Sequence, residues 1–280
     1  MTDRRRTPAN GRVALTHLQG IVQAERFVDG TAMQIVTPVA DVCSAPEGPR
    51  DRQVLYGAEV LVIEPRDGWS FVQAKEDGYV GYVRSDALGP LSAHNQVVSV
   101  PATHVYPRAD LKSREIMGLS HGSHLRIVGA EGDFYETVEG WFVPRQHLRA
   151  FNAPMRDPAT IAQLYFGVPY LWGGNSVWGI DCSGLIQAAC RACGIDCPGD
   201  SDMQALELGD ALPQGSDLQR GDLVFWKGHV AMMVDEQVLI HANAHTMSVA
   251  YEPLDAAIFR IGAAGDGPVT AMRRITRPTG

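Results

Sequence analysis

No stretch of this 280-residue chain approaches the about 20 consecutive apolar residues that a membrane-spanning helix needs. A helical membrane protein is therefore excluded as a first reading. The start also lacks the apolar run of about 7–15 residues that an export leader requires. Arg4, Arg5 and Arg6 form a basic cluster, but Pro8, Asn10, Gly11 and Arg12 interrupt every candidate run after it. A cytoplasmic location with no membrane partner is expected. Positive charge is scarce too: 24 Lys and Arg against 32 Asp and Glu leave a net charge of −8, which speaks against a nucleic-acid partner.

Cysteine is sparse and oddly numbered. There are five, and four of them (Cys182, Cys190, Cys193 and Cys197) crowd together, which does not resemble a secreted disulfide framework. Cys190, Cys193 and Cys197 lack the second ligand pair that tetrahedral zinc wants, so they read as small apolar core residues. Neither a metal nor an organic cofactor is expected. The chain is 45% hydrophobic and 20% charged, ordinary values for a globular protein of about two domains.

Before residue 150, two segments resemble each other. Gly57 corresponds to Gly122, Trp69 to Phe134, and the GYV at Gly81 to the GWFV at Gly140. Short Val-, Ile- and aromatic-rich runs broken by Gly, Asp and Pro predict small antiparallel sheets. A period of about 65 residues is too long for common solenoids, so two tandem small barrels fit better. Trp69, Tyr82, Phe134 and Trp141 are expected to fill barrels or grooves. The expected division is a partly helical or irregular lead-in at 1–30, barrels at 31–92 and 93–150, and a different domain at 151–280.

In that last segment, Asp157 and Pro158 read as N-cap and first position of a helix carrying Ile161, Leu164 and Tyr165. The loop PYLWGGNSVWGI follows. Leu185, Ile186, Ala189 and Cys193 then recur at helical spacing, and Gly194 is placed to end that helix. DLVFW, HVAMMV, VLIHA and SVAYEPL read as consecutive strands, giving an α+β domain.

Cys182 stands where its helix begins, behind a loop containing Gly173 and Gly174. Backbone N–H groups and the positive helix end favour thiolate there, and the same donors can hold an oxyanion. A nucleophilic thiol also needs a base. His229 and His241 lie twelve residues apart on adjacent predicted strands, so one ring can face the thiol while the second orients the first. His245 competes for the third place; His241 is preferred because it ends an apolar strand.

YLWGGNSVWGIDCSGLIQAAC, RGDLVFWKGHVAMMV and VLIHA together resemble the three signature blocks of the NlpC/P60 cysteine peptidases. The segments in front resemble bacterial SH3-like (SH3b) domains, the first closely and the second loosely. The whole is similar to γ-D-glutamyl-L-diamino acid endopeptidases. That resemblance implies a papain-like core with Cys182 as nucleophile, His229 as base and His241 as third polar residue. It implies cleavage of murein peptides such as L-Ala-γ-D-Glu-diamino acid. It further places Tyr170 in the active site, has Asp181 and Ser183 hold the free amino terminus, and draws acidic and tyrosine contacts from among Glu76, Asp77, Tyr79 and Tyr82. Asp181 reads equally as a helix cap. Arg220 stands where the family has proline, which should alter a turn and leave the chemistry alone. Two other readings stay open: a papain-like amidase or acyltransferase on another amide, and an inactive wall-binding SH3b protein.

Overall fold

The alternating apolar residues before residue 150 do pair as strands. In the computed structural model, which describes residues 3–213 and 215–276, the chain divides into Met1–Asn152 and Ala153–Gly280.

The first unit holds a seven-stranded sheet, from Arg50–Leu55 at one edge through Val39–Cys43, Val80–Arg84, Trp69–Ala74, Glu59–Arg66 and Thr31–Ile35 to Leu88–Pro90. Ile35, Val42, Val54, Val60, Val72 and Val83 fill it. A second module repeats the closing elements. Phe134–Thr137 and Phe142–Pro144 are followed by a 3₁₀ turn and the short strand Leu148–Ala150. In the first module, Trp69–Ala74, Val80–Arg84, a 3₁₀ turn and Leu88–Pro90 follow the same order. Its residues pair as three small sheets around Val98, Val105, Leu119, Leu125 and Val143. Gly57 and Gly122, matched in the sequence, both take φ near +80° (79° and 86°), a conformation glycine adopts at little cost. A Cβ at Gly57 would also collide with the His124 carbonyl.

Residues 3–30, expected to be irregular or partly helical, contain a 3₁₀ turn and also two short strands. Val13–Leu15 and Arg26–Val28 form a parallel pair, joined through a 3₁₀ turn. Val13 and Leu15 pack with Ile63, Phe71 and Val80 of the first sheet, and Glu64 accepts from both Arg12 and Arg26. Long-range burial drives this order, which local sequence patterning does not display.

The second unit is built on a six-stranded antiparallel sheet. Its strands are β1 (Asp210–Ala211), β2 (Leu223–Trp226), β3 (His229–Met233), β4 (Val238–Asn243), β5 (Ser248–Pro253) and β6 (Ala271–Arg274), in spatial order β1-β6-β2-β3-β4-β5. Four helices accompany it: α1 (Pro158–Gln163), α2 (Cys182–Ala192), α3 (Ser201–Glu207) and α4 (Leu254–Ala263). Asp157 caps α1 through Ala159 N, and Gly194 follows α2 with φ +71°. Leu185, Ile186, Ala189 and Cys190 of α2 share a core with Leu223, Phe225, Val230, Met232 and Ile240. Val224, Trp226, Ala231, Met233 and Leu239 face the other way, against Ala257 and Ile261 of α4. A sheet covered on both faces explains why LVFW and VAMMV are apolar throughout. Cys190, Cys193 and Cys197 are buried in the α2 core, as small apolar residues are. Among the described residues, no helix is long and apolar enough to cross a membrane.

Candidate active site

Helix α2 begins at Cys182, and its cap organises the ground around the thiol. Asp181 Oδ1 accepts from Gly184 N at 2.7 Å and from Ser183 Oγ at 2.9 Å, while Oδ2 accepts from Gly173 N at 2.9 Å. One carboxylate thus closes the helix end and ties the glycine loop to it, the capping role that residue type and position allow. Gln204 of α3 supports the same turn from behind, donating to Ser183 O at 3.0 Å and Pro198 O at 2.9 Å. Tyr170 enters from the loop side, its N–H bonded to Met247 O. Its phenol is pushed up by burial, with the Cys182 sulfur and the Asp181 carboxylate adding to the effect.

The Cys182 side chain lies against the start of β3. Its sulfur is 4.0 Å from Gly228 O and also receives the backbone N–H groups of Val230, Ser183 and Cys182. The thiol therefore touches the strand on either side of His229. On the His229 ring, Nε2 lies 2.9 Å from His241 Nδ1. The direct hydrogen bond between thiol and imidazole that the sequence called for is replaced by these two separate contacts. Catalytic hydrogen bonds commonly tighten only when substrate arrives. His241 is 1% exposed, whereas His245 stands exposed in the following turn, so burial and pairing single out His241.

Ionisation departs from the thiolate expectation. Burial pushes the Cys182 thiol up to about 12, Asp181 adds to it, and the N–H groups offset only part. Burial pulls His229 down to about 4, with the Arg260 charge contributing. His241 falls to about 3 by burial and by the neighbouring His229. At neutral pH the site therefore rests as a thiol beside two neutral imidazoles.

The structure thus gathers Tyr170, Asp181, Cys182, Ser183, His229 and His241 in the second unit. Glu76 and Tyr82 belong to the first. Tyr82 packs on Phe71 and accepts from Asn10 Nδ2 at 3.1 Å; Glu76 is exposed, 3.8 Å from His124 Nδ1. Asp77 pairs with Arg52 in a nearly fully buried ion pair, and Tyr79 lies under the same guanidinium. Sequence reasoning missed Gln204, Arg220, Glu252 and Arg260. Arg220 reaches Asp157 Oδ2, Gln163 Oε1 and Val234 O, so it fastens α1 to the sheet. Glu252 lies 3.2 Å from His241 Nε2 and is held by Arg260. Only the departure from proline marked position 220, and nothing local marked the other three.

Comparison with known proteins bears on the family and the fold. Residues 167–261 match the NlpC/P60 family, and residues 42–88 match the bacterial dipeptidyl-peptidase Sh3 domain. The chain is 29% identical over 232 residues to a gamma-D-glutamyl-L-lysine dipeptidyl-peptidase of Bacillus subtilis, covering 74% of this chain and 77% of that protein. It is 27% identical over 229 residues to dipeptidyl-peptidase 6 of Lysinibacillus sphaericus, covering 72% and 83%. The crystal structure of an NlpC/P60 family protein from Bacillus cereus superposes with a TM-score of 0.74 at 21% identity, covering 88% of this chain and 100% of that one, a likeness of fold.

Proposed function

We propose that this chain, whose residues 167–261 match the NlpC/P60 family and whose residues 42–88 match a bacterial SH3 domain, is a peptidase that hydrolyses the γ-D-glutamyl to L-diamino acid bond of murein peptides that have a free N-terminal L-Ala. The observation that carries the reading is the His229–His241 pair beside a thiol seated at the start of α2. The names of relatives similar over most of the chain support the substrate class.

In the proposed mechanism, Cys182 attacks the γ-glutamyl carbonyl as His229 takes the thiol proton. Burial raises the thiol and lowers the imidazole, which favours proton transfer in concert with attack. Backbone N–H groups at the start of α2 stabilise the oxyanion. His229 then gives its proton to the departing amine and afterwards activates water, while His241 holds the ring. No metal or organic cofactor enters these steps. Tyr170, Asp181 and Ser183 line the substrate side. Among the described residues no disulfide joins the cysteines, which suits a reducing compartment and supports a cytoplasmic role in recycling wall peptides.

Incubation with L-Ala-γ-D-Glu-L-Lys, and with its diaminopimelate counterpart, tests the reading. Release of the diamino acid with water as acceptor is expected, and Cys182→Ala should abolish it while the fold survives. Absence of release by the wild type defeats the proposal. Equal cleavage of an N-acetylated substrate removes the selection for a free terminus.

A further inference from the structure

We propose that Glu252, clamped by Arg260, sets the tautomers of the His241–His229 pair and is thereby a positioning residue for the base. The inference deepens the reading above, since it takes His229 as the group that accepts the thiol proton.

His229 Nε2 and His241 Nδ1 share one hydrogen bond of 2.9 Å, which can carry only one proton. If His229 is to accept the Cys182 proton on Nδ1, its own proton must sit on Nε2. His241 Nδ1 must then be the acceptor, so the proton of neutral His241 sits on Nε2. The reverse arrangement puts a proton on His229 Nδ1 and blocks the transfer. Which arrangement wins depends on what faces His241 Nε2.

What faces it is a carboxylate. Glu252 Oε2 stands 3.2 Å from His241 Nε2, near enough for its negative charge to favour a proton on that nitrogen though not aligned as a hydrogen bond, and no other acceptor among the described residues meets that buried nitrogen. Leu239 pairs directly with Glu252 across β4 and β5, and strand alternation puts His241 on the same face as Leu239, the face that α4 covers. From α4, Arg260 donates to both carboxylate oxygens, Nε to Oε1 at 2.9 Å and Nη2 to Oε2 at 2.7 Å. This fork holds the carboxylate ionised, and Glu252 accordingly lies below the usual carboxylate range, chiefly through Arg260. An ionised carboxylate only accepts, so it favours the proton on His241 Nε2. The relay thus runs Arg260, Glu252, His241, His229, with no net proton displaced along it. The charged groups acting on His229 are Arg260, Asp266 and Glu252, and His245 acts on Glu252.

Two measurements test the proposal. Nitrogen-15 NMR of histidine-labelled wild type should show His229 and His241 both protonated on Nε2; a proton on His241 Nδ1 overturns it. Glu252→Gln, confirmed as folded by circular dichroism, should lower kcat at least tenfold with KM little changed. The variant should also mix the His241 tautomers and move the acid limb of the rate profile downward, because Arg260 loses its counter-charge. Glu252→Asp should recover part of the rate. Wild-type kcat and an unshifted profile in Glu252→Gln overturn the proposal. If that variant does not fold, the wild-type tautomers decide alone. A wild type that releases no diamino acid defeats the peptidase reading instead, and the NMR result still judges the relay.

Discussion

Cys182 keeps 7% of its surface exposed, and the apolar side chains around it hold its proton against the pull of three backbone N–H groups. The same burial keeps His229 and His241 neutral. A base that titrates at about 4 instead of the ordinary 6.5 stays competent in mild acid. The acid limb of kcat/KM should therefore fall near pH 4, with activity retained between pH 5 and 6.5; a limb at 6.5 would show that burial does not depress the base. The sign follows from the proton count, because only neutral imidazole can accept from the thiol and it is lost below the pKa. Free enzyme should react slowly with iodoacetamide at pH 7 and faster as pH rises, since thiolate is the reactive form.

At the scale of elements, α2 has to be held from both ends of its first turn. Gly184 faces Gly174 O and Asn175 Oδ1 so closely that a Cβ cannot fit without moving the loop. Gly184→Ala should lower both thermal stability and turnover, and an unchanged melting temperature would refute that close fit. Leu185, fully buried between α2 and the sheet, should cost about 2–5 kcal/mol when cut to alanine; denaturant unfolding measures it. Arg220 illustrates how a residue in a turn can act at long range. Its guanidinium joins the α1 cap at Asp157 to Val234 O at the end of β3. Arg220→Ala should destabilise by about 1–3 kcal/mol through the acceptors left unmet, with kcat unaffected.

Across the whole molecule, both units bury histidine in neutral form: His121 in the first, pulled down to about 4 by burial, and the His229–His241 pair in the second. The unfolded chain binds protons at these sites from pH 6.5 downward, whereas the folded chain does so only near 4 or below. Stability therefore rises with pH through that window. Glu64 and Glu252 act in the same direction at lower pH, since their lowered values mean stability is lost as they finally protonate. The melting temperature should fall progressively from pH 6.5 to 4, and a flat profile there would contradict the neutral burial of these rings.

Period, caps and breakers were legible along the chain. Asp157, Pro158 and Gly194 marked helix ends, apolar runs marked β2 to β5, and the spaced blocks around Cys182, His229 and His241 marked the site. Each of these rests on neighbours a few residues away, where backbone preference and face periodicity act. The strand pair within residues 3–30, the reach of Arg220, and Glu252 with Arg260 behind His241 depended on partners brought together from distant stretches. So did the protonation of Cys182, because helix position argues for thiolate while only packing reveals how little water reaches the sulfur. Sequence alone settled which chemical groups are present and which local elements carry them; the tertiary structure decided their surroundings, and surroundings govern where the protons lie.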